Sequence, residues 1–216
     1  MAEDGQATGL NRPRPPANIT SIENIVDGIR FVPAPDLVDW MLATFIEDGA
    51  PLQNEDHAHL RDAHIGALWT IVENGRNGRS IVGQAELGST IGGMGKWTRA
   101  RAEQQIVEWF GDVPDFVITF YAPYADSCDD ATFCALVEHE LSHCGQERDE
   151  YGMPRFKKST GLPAFCMKGH DVEEFISVVR RYGADAAGVR AMIDAASVGP
   201  TIAAADIGFA CGTCAK

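Results

Sequence analysis

Apolar residues recur along this chain in two rhythms, and the switches between them mark out its elements. From Asp36 to Asp48, Leu37, Val38, Met41, Leu42 and Phe45 fall at helical spacing, which predicts an amphipathic helix. Ile65 to Val72 and Ser80 to Leu87 are denser runs of strand length. Between them stands Glu73-Asn74-Gly75-Arg76-Asn77-Gly78-Arg79, whose glycines and asparagines suit a hairpin loop. The glycines of Gly88 to Gly95 read as a mobile connection. They lead into a helix from about Thr98 to Phe110. Pro114 precedes a strand at Asp115 to Tyr121, and a helix follows from Ala131 to Cys144, with Asp126 or Ser127 able to cap it. Val172, Phe175, Ile176 and Val179 form one more helical stripe, for which Asp171 suits the N-cap and Glu174 completes a capping-box-like pair. Asp185 to Ala196 is the last helical segment. A few antiparallel strands packed by helices make an α+β domain. We place it at residues 21–200, between a flexible arm at 1–20, where Asn11-Arg12-Pro13-Arg14-Pro15-Pro16 offers little to bury, and a C-terminal tail at 201–216.

One helix carries the chemistry. Within Ala131 to Cys144 the chain reads His139-Glu140-Leu141-Ser142-His143, the H-E-x-x-H arrangement of zincins. At about 100° per residue the two imidazoles stand about 40° apart and roughly 6 Å apart along the axis, so one metal ion can reach both. With His139 at zero, Leu136, Phe133, Cys144, Val137 and Leu141 spread over an apolar arc from about 60° to 200°, and Glu140 falls near 100°, inside it. An unpaired carboxylate is costly to bury, whereas a zinc-activated water gives it a partner and a task as general base. Glu138 and Ser142 occupy the polar side, where solvent exposure explains them.

Catalytic zinc sites take three protein ligands and leave a fourth position for water. His170 is the best third ligand, because it lies just before the helix that Asp171 caps and is free of helical dihedral constraints. Two rivals remain. Glu173 would be a glutamate from a second helix. Asp149 has the metzincin spacing from His143, but that pattern wants glycine at 146, where this chain has Gln146, with Gly145 one place early.

The segment from about Ile65 to Gly183 resembles the phage metallopeptidase family, itself similar to SprT-type zincins. The residues that carry the resemblance are Phe116-Val117-Ile118-Thr119-Phe120, the HELSHC run of 139–144, and HDVEEF of 170–175 followed by Val178-Val179-Arg180-Arg181-Tyr182-Gly183. The resemblance implies a zincin-like fold with a small antiparallel sheet, a zinc-dependent peptidase, and a phage or prophage origin. A histidine ahead of a phenylalanine-bearing helix is the SprT-type third ligand, which supports His170, although Asp171 stands where that helix start has glycine.

Composition narrows the setting. The formal charge of −13 over 216 residues disfavours nonspecific nucleic-acid binding, which needs Lys and Arg against the phosphates, so the DNA-associated role of SprT-type proteases is not expected. A hydrophobic share of 45% supports a real core. Neither a membrane span nor a signal peptide is legible, and a soluble, cytoplasmic protein with a protein or peptide substrate is expected. The 6 cysteines are too few for a disulfide scaffold. Cys211 and Cys214 form a C-x-x-C that supplies half a structural zinc site, which Cys144 or Cys166 could complete. Cys128, Cys134 and Cys144 read as apolar fillers. His57, His59 and His64 have spacings that put them on no common helix face, and they read as ordinary polar residues. Trp69, Trp97 and Trp109 read as core or hinge aromatics. Gly92-Gly93-Met94-Gly95-Lys96 lacks phosphate-loop spacing. Tyr121, Tyr124, Tyr151 and Tyr182 all carry a hydroxyl suited to an oxyanion partner, and none is preferred. A noncatalytic zinc-stabilised interaction protein and a highly selective regulatory protease are the competing readings. Retained Glu140 argues against the first, since a structural site needs no base.

Overall fold

Ile65–Thr70 is buried at every residue. A strand so enclosed needs neighbours along both edges and cover on both faces, and the rest of the chain supplies them. The computed structural model describes residues 11–19, 21, 23, 26–76, 79–89, 95–172, 176–185, 188–203, 205 and 207. In chain order the strands are β1 (Phe31–Pro33), β2 (Ile65–Thr70), β3 (Asn74–Arg76), β4 (Arg79–Ile81), β5 (Gly83–Leu87), β6 (Phe116–Tyr121), β7 (Cys144–Gln146) and β8 (Phe165–Met167). The α-helices are α1 (Pro35–Met41), α2 (Lys96–Phe110), α3 (Ala122–Ser127), α4 (Asp130–His143), α5 (Ile176–Tyr182) and α6 (Arg190–Val198). One π-helical turn, Leu42–Ile46, extends α1, and a 3₁₀ helix covers Glu55–Asp62.

The principal sheet has the order β1-β2-β6-β5. β1 and β5 pair antiparallel to their neighbours, but β2 and β6 run parallel, with Ile65 opposite Phe116 and Thr70 opposite Tyr121. Two expectations are corrected here. The sheet is mixed, not antiparallel. The runs at 65–72 and 80–87 are not hairpin partners, because β6 lies between them, and Gly75 pairs with Ser80 in the small β3–β4 ribbon. The cause is burial: β2 and β6 are the most apolar runs and pair at the centre, which leaves the more polar β5, with Gln84 and Glu86, at the edge.

Helices cover both faces, giving a mixed α+β architecture. On one side Phe133 of α4 packs 6.0 Å from Trp69 and 5.5 Å from Phe120, centroid to centroid, and Trp40 of α1 stands 6.1 Å from the same ring. On the other side α2 ends against the sheet, so close that a Cβ on Gly66 would stand 2.8 Å from the Phe110 ring. The N-terminal half of α2 is exposed, and Trp97, at 85% exposed, is not a core aromatic. Trp69 is in the core.

The start of α4 also differs from expectation. Asp126 and Ser127 belong to the separate short helix α3, and Asp129 is the N-cap, accepting from the Thr132 N–H at 2.8 Å. Arg12 reinforces this end. Its guanidinium donates to Asp130 Oδ1 at 2.6 Å and to the carbonyls of Ala125 and Cys128 at 2.9 and 2.8 Å, 4.4 Å above the Phe133 ring. Residues 1–10 of the expected arm, most of the glycine-rich stretch (90–94), and Cys211 and Cys214 lie outside the described residues. The four described cysteines, Cys128, Cys134, Cys144 and Cys166, are free.

Candidate metal centre

α4 buries Phe133, Leu136, Val137, Leu141 and, among them, Glu140, so the apolar arc expected from the helical wheel faces the sheet. His139 and His143 emerge at the C-terminal end of the helix. The chain then leaves as β7 and returns as β8, with Cys144 opposite Met167. The Lys168 N–H donates to the His143 carbonyl at 2.8 Å, which carries the ladder one residue further and brings 168–170 back over the helix end.

The return places three imidazoles together. His139 Nε2 lies 3.3 Å from His143 Nε2 and 3.4 Å from His170 Nε2. The ring centroids form a nearly equilateral triangle with sides of 5.0, 5.2 and 5.2 Å. At a zinc–nitrogen bond of about 2.0–2.1 Å, two vertices of a tetrahedron stand about 3.3–3.4 Å apart, so the residues present fit a single tetrahedral ion.

Their protonation also suits a metal. The His143 Nδ1 contacts the Lys168 carbonyl at 2.7 Å. A carbonyl only accepts, so Nδ1 carries the hydrogen and Nε2 presents its lone pair to the cluster. Burial, then the neighbouring His143 and His170, push the His139 pKa down to about 4. Burial also lowers that of His143, against the Lys168 carbonyl contact that raises it. Both rings are therefore neutral at pH 7, the form that ligates.

Glu140 is 0% exposed. Its Oε2 accepts a 2.9 Å hydrogen bond from the backbone N–H of Ala85, on the sheet edge. Gly83 allows the approach, for a Cβ there would meet Glu140 Oε1 at 3.0 Å. Next to the helix lies a cavity of about 380 Å³ over the three histidines, with Ser142, Lys168, Val172 and Met192 in its walls; Glu140 does not line it.

The other candidates fall elsewhere. Asp149 closes its own turn, accepting from the N–H groups of Tyr151 and Met153 at 2.9 Å each. Asp171 pairs with Lys168 at 3.0 Å. Glu173 and Glu174 lie outside the described residues, so the capping box and the glutamate rival do too. His57 is buried in the 3₁₀ helix, His59 Nε2 donates to the Cys144 carbonyl at 2.7 Å, and His64 is exposed. Among the described residues, His139, His143 and His170 are the one group of metal-ligating type brought together, and no tyrosine lines the cavity.

Sequence reasoning missed the Lys168 carbonyl and the Ala85 N–H. Both are backbone atoms, which every residue possesses, so no residue type announces them. Gly83 carried a faint signal as a glycine inside a strand, the usual mark of close approach.

No curated protein and no solved structure matches the chain. A family model described as "Putative phage metallopeptidase" matches residues 38–197, which include all three histidines and Glu140, and the chain belongs to that family.

Proposed function

We propose that this protein is a zinc-dependent metallopeptidase in which His139, His143 and His170 hold the metal and Glu140 is the general base, acting on a protein or peptide. The observation that carries the reading is the nitrogen spacing of 3.3 and 3.4 Å within the three-histidine cluster, which is that of a tetrahedral zinc site with one position left over. Zinc bound there would polarise a scissile carbonyl and acidify a water. The protein's own part follows from its geometry. The Lys168 carbonyl holds His143 in the ligating tautomer. The Ala85 N–H orients the Glu140 carboxylate, which takes the proton of the attacking water and returns it to the leaving amine. Family membership supports the peptidase class and a phage or prophage origin. No described helix is long and apolar enough to cross a membrane, and the reading places the protein in the host cytoplasm. A formal charge of −13 favours peptide over nucleic acid as the partner.

Zinc-edge absorption spectroscopy on the reconstituted protein tests the ligand set. Three nitrogen ligands and one light atom at about 2.0 Å are expected. A fourth protein ligand would convert the site to a structural one, and failure to take up zinc would end the proposal.

A further inference from the structure

The cavity over the three imidazoles has an apolar wall that neither metal binding nor proton transfer uses. It is built by Val172, two residues past His170, and by Met192 of α6. Histidine ligands need hydrogen-bonding partners to orient them, and the Lys168 carbonyl already serves His143 in that way. The apolar pair supplies no such partner.

The start of α6 is ordered by local contacts. Val189, just before it, is 6% exposed, its N–H donates to the Ala184 carbonyl at 2.9 Å, and Arg190 makes a two-pronged contact with Asp185 at 2.9 Å on each prong. Met192 lies three positions after Val189 and so on the same side of the helix, which turns it to the cavity while leaving it 54% exposed. The volume of about 380 Å³ falls in the range of small-ligand sites, about 300–1,000 Å³. An extended peptide advances about 3.3–3.6 Å per residue, so a side chain next to a carbonyl held at the histidines is within reach of this same cavity.

Resting on the peptidase reading above, we propose that Val172 and Met192 form a specificity subsite that receives an aliphatic side chain flanking the scissile bond. The preferred substrates are then peptides with a residue of leucine, isoleucine or methionine type at that position. A charged side chain would lose its water against the two apolar residues without gaining a partner.

The test uses zinc-loaded full chain and two hydroxamates, which chelate the metal through the same head group: acetohydroxamate and 4-methylpentanohydroxamate, which adds a branched aliphatic tail. Binding is measured by isothermal titration. The branched compound should bind at least about tenfold tighter, the effect of burying even part of its tail. Met192→Asp and Val172→Asp should each cut that advantage to within about twofold and leave acetohydroxamate affinity unchanged. Equal affinity of the two compounds for the unaltered protein overturns the subsite and leaves the metal centre standing. An advantage that survives both substitutions also overturns it, since the tail must then lodge elsewhere. If acetohydroxamate itself fails to bind the zinc-loaded chain, the metal-centre reading fails, and the subsite with it.

Discussion

Gly83 and Glu140 face each other across the gap between β5 and α4: a Cβ on residue 83 would lie 3.0 Å from Glu140 Oε1, 3.2 Å from its Cγ and 2.9 Å from Leu136 Cδ1. Two residues along, the Ala85 N–H donates to the same carboxylate. The edge strand thus supplies both the space and the hydrogen bond that hold Glu140. Gly83→Ala should push the side chain off this position, with an overpacking cost of about 1–3 kcal/mol. The variant should bind one zinc and turn over peptide at least about tenfold more slowly, because small misplacements of a reacting group are costly. Metal analysis beside steady-state kinetics reads both. Undiminished turnover would mean that the contact with β5 does not position the base.

Glu140→Gln probes the carboxylate itself. Glutamine keeps the shape and an oxygen to accept from Ala85, but cannot take a proton at neutral pH. Zinc content and melting temperature should stay near those of the unaltered chain while turnover falls at least about 100-fold, the lower end of what a positioned general base contributes. A variant that still cleaves its substrate at the original rate would remove Glu140 from the mechanism.

Three alanine substitutions separate the third ligand from the neighbouring acid Asp171 and from the rival Asp149. His170→Ala should lower zinc affinity by several orders of magnitude, because it removes one vertex of the cluster. Asp171→Ala loses an exposed pair with Lys168, whose side chains are 80% and 53% exposed, and should leave zinc affinity unchanged. Asp149→Ala opens its own turn and should do no more to the metal. Competition against a zinc chelator ranks the three. A loss confined to Asp149→Ala would reassign the third position.

The legible parts of this chain are those where side-chain type meets a regular period. The apolar arc of α4, with Glu140 inside it, follows from the 3.6-residue repeat, and the burial of Phe133, Leu136, Val137, Glu140 and Leu141 matches that arc. Strand and helix ranges were readable within a few residues for α1, β2, α2, β6 and α4. Strand order was not. Nothing in the runs 65–72 and 80–87 says that a third run thirty residues later will come between them, because that outcome is a competition for the sheet centre decided by total burial. The docking of Arg12 is hidden from the sequence for a related reason. Its surroundings in sequence are polar and proline-rich, while its partners Ala125, Cys128 and Asp130 are more than a hundred residues away.

His57 should make the core of the zinc-free protein acid-sensitive. The ring is 1% exposed, and its Nε2 has no hydrogen-bond partner among the described residues. Burial, then His59, lowers its pKa from 6.5 to about 4. The folded state therefore resists a proton that the unfolded chain accepts. Stability is unaffected above pH 6.5 and is lost as pH falls from 6.5 toward 4, by roughly 3 kcal/mol from this group in full. His57→Leu should hold pH 7 stability within about 1 kcal/mol, since no hydrogen bond of Nε2 is given up, and should flatten the decline of melting temperature in that window. The slope should shrink without vanishing, because His139, also lowered to about 4, acts in the same direction. An unchanged slope would show that His57 is not the group being protonated.

Arg12 offers the sharpest test of what holds α4 in place. Its side chain is 1% exposed, against 37% for its partner Asp130, so the two ends of this ion pair behave differently when it is broken. Asp130 keeps Arg14, whose Nη2 donates to the same Oδ1 at 2.9 Å, and water can reach it as well. The Ala125 and Cys128 carbonyls, which accept from the two Nη atoms, lose their donors, and the Phe133 ring loses the guanidinium packed 4.4 Å above its centre. Arg12→Ala should then cost about 2–4 kcal/mol, between the value of one unsatisfied buried group and that of a fully broken buried pair. Arg12→Lys should recover less than half of this, because a single ammonium cannot span the three acceptors that the planar fork reaches. Equilibrium urea unfolding is the measurement, read as a shift in midpoint at constant slope. A chain lacking residues 1–14, which also removes the Arg14 contacts with Asp130 Oδ1 at 2.9 Å and the Asp126 carbonyl at 3.0 Å, should lose at least as much as Arg12→Ala. If Arg12→Ala and the truncation both leave the midpoint where it was, the docking of Arg12 against α4 has no energetic weight.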